Sequence, residues 1–149
     1  MACTIGLRVM DWLSNTVIAC CGSSRAYVPP GCIAIDPHVH TRSSKCSLSS
    51  PERVILRAVR MGLSAVAIMD HHNPKGAESA RACAESLKRC GRIPEDFLVI
   101  PGIEVSSREG HIGALFVESP IPKKLSAEET IRLIHEAGGL AIAVHPHMK

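Results

Sequence analysis

Residues 65–73 read Ala65-Val66-Ala67-Ile68-Met69-Asp70-His71-His72-Asn73. Apolar side chains run through 65–69 without alternation, which fits a strand covered on both faces, as in a parallel sheet. An acid and two imidazoles follow at once. Upstream, Ser50-Pro51-Glu52 is a helix start, with Ser50 as N-cap, Pro51 at the first helical position and an acid in the first turn. Val54, Ile55, Ala58 and Val59 form its apolar stripe, and Gly62 ends it. Downstream, 77–90 is expected to be helical, and 97–100 and 112–117 are expected to be strands. Ser126-Ala127-Glu128-Glu129 is a capping box, in which Ser126 bonds forward and Glu129 reaches back. Gly138-Gly139 closes that helix before a last buried strand at 140–144. With a short strand at 33–35, the chain is α/β with mainly parallel strands.

The length, 149 residues, suits one domain. A net charge of +3 does not mark a nucleic-acid binder, and it neither demands nor excludes a phosphorylated ligand. Aromatics are 3% of residues, so a base-stacking platform is not expected. No apolar run reaches the length of about 18 residues that a membrane span needs. The seven cysteines are odd in number and contain no C-x-x-C, which argues against a zinc finger or a disulfide framework. Free thiols in a reducing compartment fit better, and a cytoplasmic location is expected. Residues 1–31 are expected to form an N-terminal helix, with Ile5, Val9, Trp12, Leu13 and Thr16 on one stripe, followed by a Gly-, Ser- and Pro-containing linker. The second unit is 32–149.

Eight histidines are many for such a chain. His38 and His40 follow the first strand of the second unit, Asp70 and His71 the next, Glu104 the third and His145 the last. Carboxyl ends of parallel strands share one face, and that face holds the site. His111 precedes its strand, but Ser106-Ser107-Arg108-Glu109-Gly110 is turn-like, and a hairpin there would return His111 to the same rim. In His38-Val39-His40 an extended backbone points both rings one way. The set His38, His40, His71, Glu104, His111 and His145 suits two to three divalent ions, zinc, manganese or iron. Glu104 has two oxygens and can bridge two ions, and two ions about 3.5–4 Å apart can share a hydroxide and offset developing phosphoryl charge. His135, inside a helix, and His72 read as ordinary packed or solvated histidines. Asp36 and Asp70 are ligands or acids that orient imidazoles, and Asp36 is equally a turn former. Arg42 and Lys45, in a Ser-rich loop beside His40, are either phosphate grips or solvated charges. Cys46 is either an additional soft ligand or a free thiol.

Asp36-Pro37-His38-Val39-His40-Thr41, Met69-Asp70-His71-His72-Asn73, Pro101-Gly102-Ile103-Glu104-Val105, Gly110-His111-Ile112 and Val144-His145-Pro146 occur in this order. Together they resemble the PHP (polymerase and histidinol phosphatase) family of metal-dependent phosphoesterases, over residues 33 to 149. The resemblance implies a distorted TIM-like β/α barrel of seven strands, a trinuclear metal site and hydrolysis by metal-activated water. It maps His38, His40, His71, Glu104, His111 and His145 onto metal ligands and Asp70 onto the acid of the second motif. Cys46 falls near a family position that often holds His or Asp. Asp70 and Arg42 are the catalytic candidates. Met69 replaces the usual Thr of the second motif, and His72 is inserted before Asn73. The final Asp-x-His motif is absent, and a full β/α barrel takes about 200–250 residues. The barrel is therefore expected to be partial and short of two ligands, and His147 cannot simply stand in. The implied substrate is a small phosphomonoester or a nucleotide, with a nucleic-acid end as a further option. An amidohydrolase-like metal hydrolase, which also opens with His-x-His, and a non-catalytic metal- or partner-binding module are the alternatives.

Overall fold

The computed structural model describes residues 16–18, 28 and 30–145. Strand β1 (Thr16–Ile18) is followed by β2 (Ile33–Val39), helix α1 (Pro51–Arg60), β3 (Ala65–Ile68), α2 (Lys75–Arg89), β4 (Leu98–Ser106), β5 (His111–Leu115), α3 (Ala127–Glu136) and β6 (Leu140–Ala143). The strands form one six-stranded sheet in chain order, β1-β2-β3-β4-β5-β6. It is a curled sheet resembling part of a barrel. The N-terminal helix expected at residues 1–21 lies outside the described residues, except at its end. There Thr16 stands in β1, paired in parallel with β2, and not on a helix.

The sheet is partly parallel: three of its five pairings are parallel, in keeping with the mainly parallel strands expected, and β5 is the exception. β1, β2, β3 and β4 run parallel, but β5 is antiparallel to both β4 and β6. The reason is connection length. A parallel return needs a crossover of a dozen residues or more, and only residues 107–110 separate β4 from β5. A hairpin is the available solution, and it pairs Ser106 with His111.

β4 is also longer than expected and takes in Glu104, which the sequence pattern sets after the strand. Its first half, Leu98 to Pro101, pairs with β3, and its second half, Gly102 to Ser106, pairs with β5. Pro101 needs no donor of its own there, and its carbonyl accepts from Phe116 N at 2.7 Å.

Period-2 alternation sorts the strand residues onto two faces. Val66, Ile68, Ile103, Val105, Ile112 and Ala114 pack in the two clusters that include the helices. Ile35, Ala65, Ala67, Met69, Ile100 and Leu115 pack together on the opposite, inner face. Met69 is fully buried. A Cβ on Gly102 would lie 3.1 Å from Met69 Cγ, and one on Gly113 would lie 2.9 Å from Met69 Sδ. Two missing side chains thus make room for Met69. The helix starts show the forward half of the expected capping: Ser50 Oγ accepts from Arg53 N at 3.3 Å, and Ser126 Oγ accepts from Glu129 N at 3.2 Å.

Candidate metal centre

Glu104 shares its alternation class with Gly102, so it faces inward. It is 1% exposed. The end of β3 is stitched beside it. Glu104 N donates to Asp70 O at 3.3 Å, His72 N donates to Glu104 O at 3.1 Å, and His71 and Glu104 form a parallel bridge. Met69 N donates to Val39 O at 2.8 Å, which brings the end of β2 into line. Asp36 lies within β2, beside a register shift against β3, and its Oδ1 accepts from His38 N at 3.2 Å. The hairpin returns His111 to the same rim, and His145 arrives after β6.

The carboxylate faces two groups of rings. Oε2 lies 3.3 Å from His38 Nε2, 2.9 Å from His40 Nε2 and 3.5 Å from His71 Nδ1. Oε1 lies 2.7 Å from His111 Nδ1 and 3.9 Å from His145 Nε2. The His38 and His40 rings are 4.8 Å apart, those of His40 and His71 4.7 Å, and those of His71 and His111 5.4 Å. The six candidate ligands therefore converge. His135 lies exposed on α3, away from them. His72 sits behind His71, with Nε2 3.1 Å from Ser106 Oγ. His147 is outside the described residues.

Glu104 Oε2 is buried yet has no hydrogen-bond partner, although three ring nitrogens crowd it. A buried carboxylate oxygen without a donor is costly. A divalent cation among these nitrogens and oxygens would satisfy it, and the donor set suits zinc, manganese or iron. Donor atoms lie within 4.8 Å of one another in three groups: His38, His40 and Glu104; His71, Glu104 and His111; and His40, Cys46 and His71. Residues of the first two groups share Glu104.

Asp70, a catalytic candidate from the sequence, is wholly buried under the loop between β2 and α1. Its carboxylate accepts from Thr41 N at 2.8 Å, Thr41 Oγ1 at 2.6 Å and Ser44 Oγ at 2.7 Å. The sequence pattern alone does not single out Thr41, Ser44 or Gly76. A Cβ on Gly76, in the first turn of α2, would stand 1.7 Å from Asp70 Oδ2. The only hints in the sequence are small and hydroxylated residues just past His40 and a glycine at a helix start. Arg42 and Lys45 are exposed on the same loop, and Cys46 Sγ is 3.5 Å from His40 Nδ1.

Burial pushes the Glu104 carboxyl up. The closeness of His38 and His40 and the charges of His38 and His71 outweigh burial, so it is held well below the usual carboxylate range. Burial lowers His71 from the ordinary 6.5, Glu104 opposes it, and His40, His111 and His38 add to the lowering. Burial also lowers His72, with His71 and Lys123 contributing. All three shifts have one consequence for the metal-free chain. An imidazole held low binds fewer protons in the folded state than in the unfolded one, so its contribution is lost as pH falls below 6.5. A carboxylate held low contributes above its unfolded value and loses that contribution in acid. Urea melts of the metal-free chain are therefore expected to show lower stability at pH 5.5 than at pH 7.5, with a further fall below about pH 4.3. Equal midpoints at the two higher pH values would contradict these shifts.

Among the described residues no helix is long and apolar enough to cross a membrane. Comparison with known proteins places this arrangement. An uncharacterized protein of Methanocaldococcus jannaschii is 35% identical over 124 residues, covering 75% of this chain and 67% of that protein. The 5'-3' exoribonuclease Rnm of Salmonella typhimurium is 32% identical over 117 residues, covering 74% of this chain but only 37% of that enzyme. The model of the PHP domain matches residues 36–142, from Asp36 in β2 to Ile142 in β6, and the chain belongs to the PHP domain family.

Proposed function

We propose that the chain carries the metal site of a phosphoesterase that hydrolyses a phosphate ester with water. The observation behind this is the division of one buried carboxylate between two sets of rings, Oε2 toward His38, His40 and His71 and Oε1 toward His111 and His145. That is the disposition of a carboxylate that bridges two cations. Such ions would supply an activated water and offset the charge that builds on the phosphoryl oxygens. His38, His40, His71, His111 and His145 would hold and orient such ions, and Glu104 would keep the pair together. Burial of Glu104 strengthens these interactions by excluding water. Arg42 stands on the exposed loop beside His40 and grips a phosphate oxygen of the substrate. Asp70 touches no ring; its carboxylate holds the loop, so its role is positioning. The exoribonuclease relative favours a substrate phosphate at the end of a nucleotide or a nucleic acid.

The test is elemental analysis of the purified chain after size-exclusion, followed by assays on 5′-phosphorylated nucleotides, short oligonucleotides and amide substrates. Two or more retained ions per chain and metal-dependent release from a phosphate ester are expected. A folded chain that retains no metal, or one that cleaves only amides, overturns the reading.

A further inference from the structure

Ser44 is 4% exposed and lies where three groups meet. Its Oγ is 2.7 Å from Asp70 Oδ1, 2.8 Å from His71 N and 3.3 Å from His40 Nδ1. A hydroxyl has one proton to give and two lone pairs to receive with. A carboxylate only accepts, so the Ser44 proton goes to Asp70. An amide N–H only donates, so His71 N takes one lone pair. What remains toward His40 is a second lone pair, and the ring must bring the proton. His40 Nδ1 therefore carries hydrogen, and Nε2 is the nitrogen left to meet a cation. That nitrogen is 2.9 Å from Glu104 Oε2 and 2.7 Å from His38 Nε2, and a bare nitrogen facing a carboxylate oxygen needs either a cation or a proton between them, so without metal Nε2 holds a proton that a cation would replace. Cys46 Sγ, 3.5 Å from the same Nδ1, can share the proton as a weak acceptor. The opposite arrangement, a thiol donating to a bare Nδ1, would set that lone pair against the one on Ser44.

We propose that Ser44 is a positioning residue that fixes the tautomer of His40, so that the ring offers Nε2, and not Nδ1, to a cation. Asp70 acts through it, by consuming the only proton Ser44 has. The tautomer assignment stands on hydrogen-bond bookkeeping alone; only its use toward a metal rests on the proposed function. It also gives the buried Asp70 network a purpose beyond holding a loop, because the hydroxyl that anchors the loop also orients a ligand.

The experiment is long-range 1H–15N correlation of the histidine rings in the whole chain, without metal at pH 8 and with one to three equivalents of zinc. His40 is expected to carry hydrogen on Nδ1 in both states and to shift at Nε2 when zinc is added. Ser44→Ala is expected to give a mixed tautomer signal and a zinc Kd weaker by about 10-fold, within the 10- to 100-fold range for groups that orient metal-binding histidines. Cys46→Ala is expected to keep the wild-type His40 pattern. A bare Nδ1 on His40 in the wild-type chain, with or without zinc, overturns the proposal, whether or not Ser44→Ala folds. So does a His40 pattern that responds to Cys46→Ala and ignores Ser44→Ala. If the chain takes up no zinc while His40 still carries hydrogen on Nδ1, the tautomer assignment survives and the phosphoesterase reading fails.

Discussion

Glu104→Gln is expected to abolish tight binding of the second cation and to lower metal-dependent hydrolysis by about 10³-fold or more. Removing a single neutral donor from a preorganised site costs about 10²–10³ in rate, and Glu104 contributes more than one neutral donor does. Its two oxygens face opposite sets of rings, and its negative charge is buried to 1% exposure. Gln matches its volume but supplies one oxygen, one NH2 and no charge. The NH2 group would point at either His40 or His111, where a cation would otherwise be held. The fold is expected to persist, because the strand around Glu104 is paired on both sides. Metal titration by calorimetry, with circular dichroism as a check on folding, measures this directly. Unchanged stoichiometry in a folded Gln variant would remove Glu104 from the bridging role.

Gly76→Ala tests the network beneath the loop. By helix propensity alone alanine should help, by up to about 1 kcal/mol. The steric effect is larger and opposite. The new Cβ would fall 1.7 Å from Asp70 Oδ2 and 3.0 Å from Thr41 Oγ1. Either the helix start shifts, or Asp70 turns away from donors that it accepts from at 2.6–2.8 Å. Overpacking costs about 1–3 kcal/mol, and losing a hydrogen bond to a charged acceptor costs about 1.5–3 kcal/mol. A net loss of about 3 kcal/mol is expected, a large part of the roughly 5–15 kcal/mol typical of a domain. Metal affinity is expected to fall with it, since His40 and His71 are tied to the same loop through Ser44. Urea denaturation of both chains, with and without zinc, reads both effects. A variant as stable as the parent would show that the loop and α2 yield more easily than their burial implies.

What is legible in the sequence is whatever depends on neighbours along the chain. The run at 65–69 declares β3 because five apolar residues ending in an acid suit a short strand covered on both faces. Ser50 and Ser126 declare two helix starts because capping acts over three residues. The gathering of His38, His40, His71 and Glu104 is legible too, because carboxyl ends of parallel strands share a face. The direction of β5 is legible only through the turn-like residues 106–110, which admit a hairpin. Its reversal follows from the shortness of the connection after Ser106, and the apolar run at 112–117 reads the same in either direction. The placing of Asp70 is less legible still. Its donors, Thr41 and Ser44, are 29 and 26 residues away, and nothing in the local pattern distinguishes a carboxylate facing a site from one lying under a loop. Gly76 is illegible for the same reason: its meaning is a distance to Asp70, not a propensity.

The ligands are drawn from nearly the whole described chain, from His38 in β2 to His145 after β6, with Glu104 at the junction where the parallel and antiparallel halves of the sheet meet. No contiguous segment can assemble such a centre by itself: its two groups around Glu104 need β2 to β5 paired, and β6 adds His145. A bound cation would then act as a lock on the finished topology. It favours the folded state by mass action, and wherever it ties contacts absent from the folding transition state its influence would fall on the rate of unfolding. In that sense the centre keeps the two halves of the sheet together as much as it prepares them for chemistry.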